Sequence, residues 1–310
     1  MKKYSIGVDI GGGHISCALV DLKTGKIIDD SLVSENIDNK GTAEEILNGW
    51  SGALKQVISK VEVDELAGIG FGIPGPFEYD KGIARFAQVE KFYGLDGVDV
   101  ATGLSSKLGL SSDTPLRFMN DASAFAAGEA WQGSASDVRK SVSITLGTGF
   151  GSAFVSDGVP VVEGELVPKM GCVWHLPFED GIADDYFSTR WFIKRYKEET
   201  GLDVDGAKPI ADASDTDEKA MGIFKEYGRN MGEFFSPWLK KFGADVLVIG
   251  GNIAGSYHLF GPDFENALSA NGVETKIKLS TLKEDAAIIG SARMLDPVYW
   301  EKIKPILPKM

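Results

Sequence analysis

Cysteine is nearly absent from this chain: Cys17 and Cys172 are the only two among 310 residues. A disulfide framework is therefore not expected, and a reducing compartment is the simpler setting. Positive charge is also in short supply. Lys and Arg number 32 against 45 Asp and Glu, a formal net charge of −13. That balance argues against a general nucleic-acid or membrane-surface binder, since both need basic patches. No apolar run approaches the ~18 residues of a membrane span, and no G-x-x-x-x-G-K-[ST] phosphate loop is present. The basic start Met1-Lys2-Lys3 leads into YSIGVDIGGG rather than an apolar stretch. It is unlike a secretory leader, and a cytoplasmic location is expected.

What the chain does have is glycine at the ends of strand-like runs. Tyr4 to Ile10 is β-rich, Gly11-Gly12-Gly13 breaks it, Ile15 to Asp21 resumes, and Thr24-Gly25 turns the chain into Lys26 to Ser34. Strands joined this tightly must be antiparallel. Ala43 to Lys60 has helical periodicity, with Thr42 and Glu45 placed as a capping box. Leu66 to Phe71 is the next strand. The grammar then recurs: Leu116 to Met119 as a strand, Ala122 to Trp131 as a helix, Lys140 to Leu146 as a strand, Gly147-Thr148-Gly149, and Gly151 to Ser156. Asp184 to Glu199 and Thr216 to Phe242 are amphipathic. Ala244 to Ile249 is a further strand, and Asp285 to Leu295 a small-residue helix. The repeated pattern predicts two related lobes with a cleft between them.

Three glycine turns carry the first chemical argument. Phosphate can approach a backbone only where side chains are missing, and glycine turns present bare N–H donors. Gly11, Gly12 and Gly13 form such a turn beside Asp9. A carboxylate there would repel phosphate unless a cation intervened, which makes Asp9 a candidate Mg²⁺ anchor through water. Gly147, Thr148 and Gly149 form a second turn. Gly250, Gly251 and Asn252 end an apolar strand, where a base or ribose could lie against the backbone. Taken singly, the first two read equally well as ordinary turns and the third reads better as a plain strand end; three together do not. Asn120-Asp121 stands at a strand-to-helix junction and taken alone reads as a helix cap. Gly70-Phe71-Gly72-Ile73-Pro74-Gly75 fits G-x-G-x-x-G, but a turn rather than a helix follows, so a dinucleotide site is not expected.

The stretches GVDIGGGHISCALVD, GIGFGIPGP, MNDASAFAAGEA, TLGTGFGSAFVSDG, VLVIGGNI and AAIIGSARML run in order over nearly the whole chain. Jointly they resemble the hexokinase, actin and heat-shock-chaperone ATPase superfamily, and within it the ROK family of sugar kinases and sugar-responsive repressors. The resemblance implies an α/β, two-lobed actin-like ATPase (ribonuclease H-like) fold with a duplicated mixed-sheet core and interlobe cleft. It implies residues 1–117 with the C-terminal helix 296–310 as one lobe and 118–295 as the other. The implied activity is glucokinase-like: ATP and Mg²⁺ are used to phosphorylate a hexose or hexose derivative, with hinge closure of the lobes excluding water. Asp121 would be the general base that accepts the proton of a sugar hydroxyl, and Asn120 and His175 would bind the sugar. A homodimer is common in the family.

The chain departs from the family in one place. The usual Gly-Glu-x-Gly-His reads Gly171-Cys172-Val173-Trp174-His175, so Cys172 replaces the sugar-binding glutamate. Glu163 or Glu165 is a candidate substitute. The family's zinc cysteines are missing downstream, and one Cys with one His cannot close a tetrahedral site, so no zinc is expected. The family's threonine after Gly-Gly is replaced by Gly13-His14, and His14 reads as a partly exposed strand residue. A repressor would need a basic helix-turn-helix domain ahead of the first strand, which instead begins near Tyr4. A non-catalytic sugar and nucleotide sensor of the same fold is the alternative to a kinase.

Overall fold

The computed structural model describes residues 2–87, 89, 91–111 and 113–310. In chain order the strands are β1 (Tyr4–Ile10), β2 (His14–Asp21), β3 (Val33–Asn36), β4 (Leu66–Ile73), β5 (Phe77–Glu78), β6 (Ile83–Ala84), β7 (Leu116–Asn120), β8 (Lys140–Leu146), β9 (Phe150–Ser156), β10 (Val159–Pro160), β11 (Pro177–Phe178), β12 (Gly181–Ile182), β13 (Val246–Gly250) and β14 (Lys276–Leu279). The helices are α1 (Ala43–Ile58), α2 (Val100–Leu108), α3 (Asp121–Gln132), α4 (Ala183–Phe187), α5 (Thr189–Thr200), α6 (Ala207–Ala213), α7 (Glu218–Phe242), α8 (Tyr257–Ala270), α9 (Asp285–Arg293) and α10 (Pro297–Ile303). Among the described residues no helix is long and apolar enough to cross a membrane.

Two compact units divide the chain. The first comprises Met1–Ser136, Gly158–Pro160 and Glu284–Met310; the second comprises Asp137–Asp157 and Val161–Lys283. In the first unit the strand order is β3-β2-β1-β4-β7. The β1–β2–β3 meander is antiparallel, while β4 runs parallel to β1 and β7 parallel to β4. In the second unit β9-β8-β13-β14 repeats that grammar, with β9 antiparallel to β8 and the remaining pairs parallel. The α/β class and the duplicated mixed-sheet core are as expected.

The unit boundaries differ from the expected 117/118 and 295/296, and packing supplies the reason. β7 completes the first sheet, so α3, which continues from it, stays with that sheet. α9 lies against β1 and β4, where glycines let backbones meet. A side chain at Gly7 would come 1.9 Å from the Ile288 carbonyl oxygen, and one at Gly70 would come 2.0 Å from that of Ser291. α3 and α9 approach as closely. A Cβ at Gly290 would lie 1.8 Å from the Ala124 oxygen, and one at Gly128 1.9 Å from the Ala286 oxygen. No side chain fits such gaps, so these glycines hold α3 and α9 in the first unit. Asp121 and the first glycine turn therefore belong to the same unit.

The second unit is filled by aromatic side chains. Phe187, Phe192, Phe224, Tyr227, Phe235 and Phe260 are fully buried, and the Tyr227 hydroxyl donates to the Phe187 carbonyl at 3.0 Å. That bond removes the cost of an unsatisfied buried phenol.

Local expectations held where local chemistry decides. Thr42 and Glu45 form the capping box of α1. The residues after Gly75 form the β5–β6 hairpin, so the dinucleotide pattern lacks its helix. Two expectations fail. Lys26 to Ser34 is not a strand: only a bridge at Ile27 and β3 from Val33 form. The Ser31 hydroxyl takes the Leu19 amide at 3.1 Å, supplying from a side chain what a strand would have supplied from its backbone. The helix expected over Asp184 to Glu199 is broken at Ser188, because the Thr189 amide is bound to the Gly147 carbonyl at 2.8 Å instead of continuing α4.

Candidate functional site

Ligands of open parallel sheets bind beyond the carboxyl ends of the strands, and the candidate residues collect there. Asp9 pairs in register with Gly72, Gly72 with Met119, and Ile73 with Asn120. Beyond β1 the chain turns at Gly11, whose amide donates to the His14 carbonyl at 3.0 Å. The amides of Gly12 and Gly13 donate to no described residue. His14 opens β2 half-buried, with its ring 2.3 Å from where a Gly11 Cβ would stand. Gly11 therefore cannot be replaced without moving the ring, and the turn leaves two adjacent N–H groups without an acceptor among the described residues.

At the end of β7, Asn120 is the N-cap of α3, its Oδ1 accepting from the Ser123 amide at 3.2 Å. Asp121 is the first helical residue, not the cap. Its Oδ1 accepts from the Ala122 amide at 2.9 Å and from Asn120 Nδ2 at 2.8 Å, which fixes the carboxyl and leaves Oδ2 bound by no other described residue. Asn120 Nδ2 also reaches the Tyr79 hydroxyl at 3.4 Å, and that hydroxyl donates to the Ile73 carbonyl at 3.3 Å. Burial pushes the Asp121 carboxyl above its usual range, opposed by the Ala122 amide and the Lys91 ammonium. Asp9 is pushed up to about 7 by burial and then by the charges of Asp121 and Glu284. The end of the first sheet thus sets the charges of Asp121 and Glu284 against the buried Asp9 carboxyl. Sequence reasoning missed Tyr79, Glu284 and Lys91, which lie in no recognised motif.

The second unit carries the other two turns, on neighbouring parallel strands. After β8, the Gly147 carbonyl accepts from both the amide and the hydroxyl of Thr189, each at 2.8 Å. The Phe150 amide donates to Asp184 Oδ1 at 2.7 Å, and Arg190 pairs with the other oxygen of Asp184. The amides of Thr148 and Gly149 donate to no described residue. Gly251 follows β13 with φ +84°, and a Cβ there would come 2.4 Å from the Leu146 oxygen. Only glycine satisfies both constraints. It brings Gly250, Gly251 and the exposed Asn252 directly against the second turn. Asp184 and Arg190, which brace that turn, were not anticipated.

Cys172 and His175 sit on a separate loop of this unit, anchored where the Val173 amide donates to the Ser152 hydroxyl at 2.9 Å. Cys172 Sγ and His175 Nδ1 are 3.8 Å apart. Burial pushes the thiol up to about 11, so it carries no charge near neutrality. Burial, then Lys169, lowers the His175 value. Trp174 is 42% exposed, its ring edge-on to His175. Glu163 and Glu165 are exposed on the segment that follows Val161, whose oxygen would meet a Gly171 Cβ at 2.1 Å. Among the described residues no three His, Cys, Asp or Glu side chains form a group able to hold a metal directly.

With this geometry in place, likeness to known proteins decides the family. The model of the ROK family matches residues 5–297. The chain belongs to the ROK family. A glucokinase of Thermotoga maritima is 27% identical over 95% of this chain and 98% of its own. An N-acetyl-D-glucosamine kinase of Haemophilus influenzae is 23% identical over 82% of this chain and 86% of its own. Among solved structures, a ROK family glucokinase of Streptomyces griseus, in complex with glucose and AMPPNP, superposes with a TM-score of 0.75 at 21% identity, covering 94% of this chain and 98% of its own. At that identity the match establishes the fold of this ROK chain, and the expected actin-like sugar-kinase class is the one found.

Proposed function

We propose that this ROK protein transfers the γ-phosphoryl group of ATP to a hydroxyl of a hexose or hexose derivative, with Asp121 as general base. The observation that carries this reading is the Asp121 carboxyl: one oxygen is fixed by two donors, the other is bound by no other described residue, and the amides of Gly12 and Gly13, which donate to no described residue, belong to the same unit. A sugar hydroxyl is a poor nucleophile at neutral pH, so a fixed carboxylate must take its proton as the phosphoryl group arrives. The Ala122 amide and the helix N-terminus favour the ionised form that this role needs.

The remaining residues take their roles from chemistry and family resemblance. Gly12, Gly13, Thr148 and Gly149 supply amides for phosphate oxygens. Gly250, Gly251 and Asn252 offer bare backbone to the nucleoside. Asn120 orients Asp121 and can exchange its long Tyr79 contact for a sugar hydroxyl; His175, Glu163 and Glu165 are the further sugar contacts. Asp9 fits a Mg²⁺ anchor, because its buried carboxyl is pushed up by burial and by the charges of Asp121 and Glu284, which a cation would relieve, and oxygen is the donor Mg²⁺ prefers. Bound there through water, Mg²⁺ would neutralise phosphate charge. Consumption of ATP and a free sugar fits a cytoplasmic protein, and the family adds a homodimer, which sedimentation can test.

The Cys172 thiol favours a second reading, a sugar and nucleotide sensor without turnover, because a neutral thiol accepts hydrogen bonds weakly where the family has a carboxylate. A coupled ADP-release assay across glucose, mannose, their N-acetylamino derivatives and β-glucosides separates the two. A kinase shows sugar-stimulated ADP release with at least one of them. ADP release that no sugar raises above the water background, together with measurable sugar binding, favours the sensor.

A further inference from the structure

Lys91 lies outside every recognised motif, yet its side chain runs along the first glycine turn. Its Nζ, Cε and Cδ are 3.1, 3.2 and 3.5 Å from where a Cβ of Gly12 would stand. Gly12 is one of the two residues of this turn whose amides donate to no described residue. An anion held by that amide is therefore also beside the ammonium. Lys91 itself is exposed and makes neither a hydrogen bond nor an ion pair with a described residue.

Its position is built into the fold. The next residue, Phe92, is fully buried with φ +56°, a left-handed conformation that a bulky residue adopts only at a cost. Three contacts hold it there. Its amide donates to the Asn39 carbonyl at 2.8 Å, and its ring packs on Trp50 at 5.6 Å and Phe86 at 5.7 Å. Two residues on, a Cβ at Gly94 would come 2.4 Å from the Gly41 oxygen. An ordinary solvated lysine needs no such mounting.

Charge supplies the reason for a cation here. The charges of Asp121 and Glu284 already act against an ionised Asp9, and Lys91 is the cation whose field opposes burial at Asp121. His14 lies against Gly11 in the same turn. A phosphoryl group entering among these carboxylates brings more negative charge, and its transfer spreads that charge over three oxygens. Building on the kinase reading above, we propose that Lys91 is a catalytic residue whose ammonium contacts the phosphoryl group as it passes from ATP to the sugar. The sugar oxygen forms a bond to Pγ, and its proton goes to Asp121 Oδ2. The bond from Pγ to the bridging oxygen breaks, and its electron pair leaves with ADP. Lys91 holds the non-bridging oxygens over Gly12 throughout.

The test compares Lys91→Met and Lys91→Arg with the parent protein. Lys91→Met should lower kcat by roughly 10²- to 10³-fold, the cost of one transition-state donor, with the sugar KM within a few-fold. In calorimetry it should weaken AMPPNP binding while leaving ADP binding unchanged, since only the former carries a γ-phosphoryl group. Lys91→Arg should restore part of both losses. A higher sugar KM with unchanged kcat would overturn the proposal by making Lys91 a sugar contact. A kcat loss that disappears at alkaline pH would overturn it too, because Lys91 would then act only by keeping Asp121 ionised. Equal weakening of AMPPNP and ADP, or no effect at all, also contradicts it. A parent protein that turns over no sugar indicts the kinase reading instead, and the AMPPNP-against-ADP comparison still decides where Lys91 points.

Discussion

The two phosphate-type turns are products of the same local grammar but stand in different chemical settings. Each follows the first strand of an antiparallel hairpin, and each leaves two consecutive amides free: Gly12 and Gly13 in one unit, Thr148 and Gly149 in the other. Around the second turn the charges are already paired. Asp184 holds the Phe150 amide and Arg190, and Thr189 ties down the Gly147 carbonyl. Around the first turn they are not: the charges of Asp121 and Glu284 act on Asp9, and Lys91 has no hydrogen-bond or ion-pair partner among the described residues. A braced turn suits holding a phosphate chain, whereas unpaired charge suits a step in which charge moves. Under the proposed function, duplication accounts for the two turns and their asymmetry for a division of labour between them.

Substitutions should separate the two settings. The largest expected effect is structural and falls in the second unit. Gly251→Ala meets both the Leu146 backbone and a left-handed φ, and should destabilise that unit by about 2 kcal/mol or more in chemical denaturation. Next is Asp184→Ala, which frees Arg190 and the Phe150 amide. It should raise the KM for ATP about tenfold, the worth of one or two charge-assisted hydrogen bonds, and leave kcat within a few-fold. An equal loss of kcat would erase the proposed division of labour. The smallest effect is on stability at the first turn. Asp9 has a raised folded-state value of about 7, so the native state binds its proton more tightly than the unfolded chain does. Its burial therefore costs stability as pH rises from the ordinary carboxylate range through about 7, and nothing below that range. Without Mg²⁺, Asp9→Asn should raise Tm by a few degrees above pH 7 and lose that advantage near pH 4, as differential scanning calorimetry can follow.

The sequence was most legible where a backbone requirement selects a residue type. Gly11 to Gly13, Gly147 to Gly149 and Gly250-Gly251 marked the three strand ends correctly, and Thr42 with Glu45 marked the start of α1. Long-range needs were not legible. Ser188 breaks a periodic helix because Thr189 is required at Gly147, and Ser31 ends a β-rich run because its hydroxyl reaches Leu19. The unit boundary moved because Gly7, Gly70, Gly128 and Gly290 are contact points for α3 and α9, which no local pattern announces. In the candidate site, Asn120 and Asp121 were found as a pair, but only the structure separates cap from carboxylate. Lys91 carried no signal in the sequence, since its meaning lies in the Gly12 it covers.

The central claim is that Asp121 takes the hydroxyl proton, and Asp121→Asn tests it most directly. Because Asn120 is the cap of α3, the substitution leaves the helix start intact, and Tm and circular dichroism should match the parent. AMPPNP affinity should stay within a few-fold, since the amides of Gly12, Gly13, Thr148 and Gly149 are untouched. With the best sugar, kcat should fall by about 10²- to 10⁴-fold, the range of a lost general base. A correctly folded Asp121→Asn protein with near-parental kcat would contradict the account.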